Sequence, residues 1–374
     1  MACHDGRVFA RDELHTHNSQ PSAYGPSRRE FLTTLAALGA AQMLPSGALF
    51  AQTPSSGTKP RLIDVHHHFS PPFYSKETGG RAFSYGMGDR RMLQWTPEAS
   101  LAEMDKGGVE CAILSLTTPA VWFGDLQADR NLARRCNEYA AQLVGDHPGR
   151  FGFFAALPLP DTDGSLREIT YALDTLKADG IGLLTSYDAK WPGDPAFAPV
   201  FEELNRRKAV VYFHPTAPSC CRDLIPSVPP PYIEFPHDTT RAVMSLLYSG
   251  SLARLRGVRF IFSHAGGTIP MLASRIAGLA HDPVMAEKVP DGVEHELKRL
   301  HYDIANSANR PAMSALMNLV PISQIVFGSD YPFFPIGLTA IGMTNLGLAA
   351  PDLQAIGRDN AIGLLPRLKA GVTL

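Results

Sequence analysis

Three consecutive histidines, His66-His67-His68, end a short apolar run that begins at Arg61. In an extended chain, side chains two positions apart point to the same side. His66 and His68 therefore share one face of a strand, and His67 points the other way. Two neutral imidazoles on one face make half of a site for zinc or a similar ion. Later runs offer the other half: Val210 to His214, Phe260 to His264 and Ile325 to Asp330. Each is apolar, ends in a ligand-type residue and is followed by Gly or Pro. One histidine after a strand is ordinarily a hydrogen-bonded structural residue. Four strand ends that all finish in metal-type donors point instead to a shared centre.

Something must bring these ends together. Apolar runs at 61–69, 110–116, 151–157, 181–185, 209–214, 258–264, 302–304 and 322–328 read as eight strands. Helical stretches at 126–145, 165–178, 196–207, 239–249, 270–279 and 311–319 alternate with them. Thr96-Pro97-Glu98 carries the cap residue and proline of a helix start, and Gly107-Gly108 ends it. Strands that lack apolar–polar alternation are buried on both faces, as in a parallel sheet. The expected fold is α/β, a (β/α)8 TIM barrel with its site at the C-terminal ends of the strands. A doubly wound open sheet is the alternative, but no Gly-rich phosphate loop follows any strand. Residues 70–95, rich in Gly and aromatic residues, read as a loop insertion after the first strand, with Phe73, Tyr74, Phe83, Tyr85 and Trp95 as a lid or pocket wall. The proline-rich residues 226–231 read as a second irregular segment at the same mouth.

The chain has 374 residues, 45% hydrophobic and 19% charged, with a formal net charge of −2. Such a near-neutral balance argues against nucleic acid or an anionic membrane as the main partner. The five cysteines show no CxxC spacing, and Cys220-Cys221 read as tight loop packing. Ser27-Arg28-Arg29-Glu30-Phe31-Leu32, a weakly apolar run and small residues up to Ala51 resemble a twin-arginine export signal. The apolar run is too short for a stable membrane span. The expected organisation is an export signal over 1–51, a flexible leader over 52–60 and a barrel over 61–374, with the mature protein in the periplasm, or in the cytoplasm if the signal is not used.

Taken together, Asp64-x-His66-x-His68, His214, His264-Ala265-Gly266-Gly267 and Gly328-Ser329-Asp330-Tyr331-Pro332 resemble the amidohydrolase superfamily. The likeness is to the branch of 2-amino-3-carboxymuconate-6-semialdehyde decarboxylase and the resorcylate and salicylate decarboxylases, the 6-methylsalicylate decarboxylases above all. The resemblance implies His66, His68, His214 and Asp330 as metal ligands, with His264 as a catalytic histidine beside the metal or as a direct ligand. It implies that Arg275 reaches the site of a neighbouring subunit in a homodimer. Binuclear relatives carry a lysine or glutamate after strand four, where this chain has Leu184-Thr185-Ser186-Tyr187 with Lys190 nearby. One divalent ion, zinc or else manganese, is expected. His67, His237, His281, His295 and His301 are expected to be structural or on the surface.

The activity implied is non-oxidative decarboxylation of a small aromatic acid, a salicylate such as 6-methylsalicylate. Asp330 or His264 would deliver the proton. The competing reading uses the same centre for hydrolysis of a lactone or amide, with Asp330 as base. A non-catalytic metal-binding protein would not need this constellation beside a large loop.

Overall fold

The computed structural model describes residues 61–84, 90–221, 224–365 and 367–368. They fall within one compact unit, Lys59–Leu374. The export signal and leader expected over residues 1–60 lie outside the described residues.

Eight parallel strands follow one another in sequence order. They are β1 (Leu62–His68), β2 (Val109–Ser115), β3 (Phe151–Ala156), β4 (Gly180–Leu184), β5 (Val210–His214), β6 (Arg259–Phe262), β7 (His301–Asp303) and β8 (Ile325–Val326). Beyond β8 the chain returns to β1. Val65 N–H donates to Phe327 O (3.0 Å), Asp330 N–H to His66 O (2.8 Å) and His68 N–H to Tyr331 O (2.8 Å). These bonds close the (β/α)8 barrel expected from the strand pattern.

The interior cluster includes Ile63, Val65, Ile113, Phe154, Tyr212, Ile261 and Val326, and Leu364 and Leu365 join it near the chain's C-terminus. Phe154 stacks on Tyr212 with centroids 5.3 Å apart, and both are fully buried. Truncating such a ring to alanine costs about 3–5 kcal/mol. The outer faces of the strands pack against the helices, so every strand is buried on both sides.

One irregularity matters for chemistry. Asp64 pairs with Ala112 and His67 with Leu114, so β1 spends three steps where β2 spends two. A one-residue slip exchanges the faces of a strand. Ile63 and Val65 fill the interior, and after the slip His66 and His68 take over the inward side. Gly328 lies against this point: a Cβ there would sit 2.7 Å from His66 Cβ and 3.1 Å from Asp303 Cβ.

The described part of the insertion after β1 is largely helical rather than a loop. It forms helices Pro72–Ser84 and Arg90–Leu93. Contacts with the helix Leu126–Asp146 and the β2 loop override its glycine content. Arg135 lies over the Phe73 ring (4.1 Å) and pairs with Glu77 (2.8 Å), while Tyr74 OH donates to Ala120 O (2.7 Å). Tyr74 and Trp95 are buried in the outer layer, so neither they nor Phe73 form the expected pocket wall. The side chains of Phe83 and Tyr85 lie outside the described residues.

The proline-rich segment is likewise shorter than expected. A helix already starts at Pro230 and runs to Tyr248, because proline suits the first turn of a helix. The helix Pro97–Gly107 has the expected ends: Thr96 Oγ1 accepts from Ala99 N–H (3.2 Å), and Gly108 adopts φ 75°. Among the described residues, no helix is long and apolar enough to cross a membrane.

Candidate metal centre and active site

The barrel brings His66, His68, His214 and Asp330 together, with one donor atom from each lying within 4.8 Å of all the others. All four residues are buried. Each imidazole is oriented from behind. His66 Nδ1 donates to Asp303 Oδ2 (2.9 Å), His68 Nδ1 to Ser115 O (3.2 Å) and His214 Nδ1 to Pro215 O (2.8 Å). Carbonyl oxygens only accept, so Nδ1 of His68 and His214 carries the hydrogen and Nε2 keeps a bare lone pair.

Those lone pairs face one another. His66 Nε2 lies 3.1 Å from His68 Nε2, and Asp330 Oδ1 is 3.2 Å and 3.1 Å from the two nitrogens. Acceptors packed this closely repel unless a cation or a proton lies between them. The donor set, three imidazoles and one carboxylate, fits a divalent ion.

The protonation equilibria carry the same message. Burial disfavours the charged form of His66, but Asp303 and Asp330 outweigh it and raise the imidazole to about 10. Burial also lowers His68, and it lowers His214 far below its ordinary value with help from the neighbouring imidazoles. Burial works against ionised Asp330, yet His66 and the close approach of the His264, His66 and His68 rings hold the carboxyl well below its usual range. The cluster is built to hold positive charge at its centre.

His264 stands at the rim. Its backbone N–H donates to Asp303 Oδ1 (3.1 Å), and Nε2 lies 3.4 Å from Asp330 Oδ2. Its side chain is 13% exposed, against 0% for His66. Its φ of 55° is followed by 56° at Ala265, so two non-glycine residues hold the left-handed conformation. Asp330 shares it, with φ 63°. Such backbone strain gathers where a structure must aim side chains at a site. Phe333 edges the His68 ring at 5.6 Å and Phe235 the His214 ring at 5.9 Å, supplying apolar flanks.

Other expected positions separate from this group. Arg275 is exposed on the helix Ile269–Ala277 and has no hydrogen-bond or ion-pair partner among the described residues. Its expected reach into a second subunit concerns a contact that one chain does not contain. His67 points outward, between Asp64 Oδ2 (2.9 Å) and Ser100 Oγ (2.6 Å). Lys190 is exposed, and its backbone pairs with Tyr187. Cys220 is exposed on a turn, so the expected tight packing fails there, although its Sγ lies 2.8 Å from that of Cys221. His295 groups with Asp291 and Glu296, but Arg256 already pairs with both carboxylates.

Three supporting residues carry no role in the sequence reading: Asp303 and Asn306, which lie outside the motifs, and Asp64, which the first motif contains. Asp303 ends β7 and holds both His66 and the backbone of His264. Asn306 Nδ2 donates to Asp330 Oδ2 (2.7 Å). Asp64 accepts from Ser329 N–H (3.0 Å) and binds His67, tying β1 to the turn that carries Asp330. The one available signal was that Asp303 falls within the strand expected over 302–304. Replacing Asp303 with Asn should weaken metal binding by roughly 10- to 100-fold, the usual effect of disturbing a residue behind a ligand. Competition with a chelator measures this, and unchanged affinity would remove Asp303 from that role.

A family model described as Amidohydrolase matches residues 63–367. Decarboxylase yanB of Aspergillus niger is 40% identical over 328 residues, covering 82% of this chain and 88% of that protein. The 6-methylsalicylic acid decarboxylase acuB of Aspergillus aculeatus is 38% identical over 327 residues, covering 82% and 96%. The crystal structure of a 2,6-dihydroxybenzoate decarboxylase complexed with 2,6-dihydroxybenzoate shares the fold, with a TM-score of 0.71, 24% identity and coverage of 82% and 99%. With the barrel, the donor cluster and a family match spanning most of its length, the chain belongs to the amidohydrolase family.

Proposed function

We propose that the protein is a metal-dependent, non-oxidative carboxy-lyase for a small aromatic acid with an ortho-hydroxyl, 6-methylsalicylate being the leading substrate. The observation that carries this reading is the cluster of four facing donors with His264 on its more open side. The relatives named as decarboxylases support it over the length of the barrel.

His66, His68, His214 and Asp330 would hold the ion, zinc or manganese. When bound, such an ion supplies positive charge that receives the carboxylate and phenolic oxygen and offsets developing negative charge. The chain's own residues do the rest. Phe333 and Phe235 give the flat ring apolar neighbours. His264, beside Asp330, places a proton on the ring carbon that bears the carboxylate. Asn306 fixes the far oxygen of Asp330 and so the angle from which His264 approaches. Protonation interrupts aromaticity; the carbon–carbon bond then breaks, its electron pair returns to the ring and CO2 leaves. No electron acceptor is required.

In heavy water the phenol formed should carry deuterium at the carbon that lost CO2. Mass spectrometry and proton NMR of the product read this directly. Product without deuterium at that carbon would overturn the protonation step. Hydrolysis of lactones with no CO2 from any hydroxybenzoate would transfer the site to hydrolytic chemistry.

A further inference from the structure

A cavity of about 140 Å³ lies beside the donor cluster, on the side of His214. None of the four donors lines it, but the same loops build both. Thr117 Oγ1 lies 3.4 Å from His214 Nε2, and Thr118 is a wall of the cavity. Pro215 O orients His214, and Thr216 and Ala217 continue the wall. The chamber therefore adjoins the donor cluster, where the carboxylate and phenolic oxygen of the acid would lie.

Its buried hydroxyls are engaged with the protein. Thr118 and Thr216 hydrogen-bond each other (2.8 Å), Ser186 donates to buried Asp238 (2.8 Å) and Tyr187 OH accepts from Leu184 N–H (2.9 Å). What remains for a guest is carbon from Trp122, Ala217 and the prolines beside them, with exposed Asp188 and Ser219 forming the polar part of the wall. Thr118, Ser186, Tyr187, Thr216 and Ala217 are all buried, so the inner part of the wall is a packed surface, while Trp122 is half-buried.

We infer that this chamber receives the apolar substituent next to the carboxylate of the acid, and that Ala217 and Trp122 set the length it accepts. The inference rests on the carboxy-lyase reading above and adds a substrate class to it: salicylates with 6-alkyl groups longer than methyl. A cavity of about 150 Å³ elsewhere holds benzene, so a methyl group leaves most of this chamber unfilled. Each methylene buried there should raise affinity roughly fourfold until the space is full.

The test uses metal-loaded protein and two series. Binding of phenol, 3-methylphenol, 3-ethylphenol and 3-propylphenol, the expected products, is followed by calorimetry. CO2 release is followed from the matching 6-alkylsalicylates. Affinity should climb with chain length in the native protein. In Ala217→Leu, the ratio of kcat/KM for 6-propyl over 6-methyl substrate should fall at least tenfold. Should that variant not fold, Trp122→Ala removes a wall and should weaken 3-propylphenol more than phenol. Equal affinity along the native series, or a variant that affects every chain length alike, overturns the chamber. CO2 from 6-methylsalicylate without a length gradient sinks this inference alone. A gradient in phenol binding without CO2 from any acid supports the chamber and removes the reaction.

Discussion

Replacing His214 or Asp330 with alanine is expected to strip the protein of bound metal and lower turnover by on the order of a thousandfold or more. The magnitude follows from several kcal/mol of charge stabilisation lost with the ion, at about 1.36 kcal/mol per factor of ten. Either change also leaves the remaining donors around an incomplete set. In Asp330→Ala, His66 and His68 would still face each other at 3.1 Å, without the carboxylate that contacts both. Metal stoichiometry by mass spectrometry and CO2 release on the same sample decide the matter. A variant with a full equivalent of metal and normal turnover removes that residue from the ligand set.

His264→Asn should separate binding from chemistry. Asparagine accepts the left-handed backbone at this position, where φ is 55°. Since the His264 ring stands outside the four converging donors, the metal should stay while kcat falls by roughly 10²- to 10⁴-fold, the usual worth of a placed proton donor. Loss of metal along with activity would make His264 a direct ligand. Metal retained with unchanged kcat would move the proton donor elsewhere.

The barrel was legible because its strands are buried on both faces and stand out as unbroken apolar runs ending in His, Asp, Gly or Pro. The separation of His66 and His68 from His67 followed from the two-residue period of a strand. What escaped was set by tertiary contacts. The slip in β1 leaves no mark in local sequence, since it depends on how Asp64 and His67 pair with β2. The glycines and aromatic residues of 70–95 suggested a loop, but contacts of Phe73, Tyr74 and Glu77 with Arg135 and Ala120 hold Pro72–Ser84 as a helix. Asp303 and Asn306 look ordinary in sequence. Their meaning appears only when β7 lies beside His66 and the turn that carries Asp330.

The closure of the barrel has a thermodynamic side. His68 and Asp330 are 262 positions apart, yet their donor atoms lie 3.1 Å from each other. An ion held between them is a cross-link between the beginning and the end of the folded chain. Closing a loop of that length removes far more configurational freedom from the unfolded chain than joining neighbours does. In this sense the ion would act as a reversible counterpart of a disulfide placed across the seam between β1 and the turn after β8. Catalytic competence and the topological closure of the barrel are thereby fastened by the same clasp.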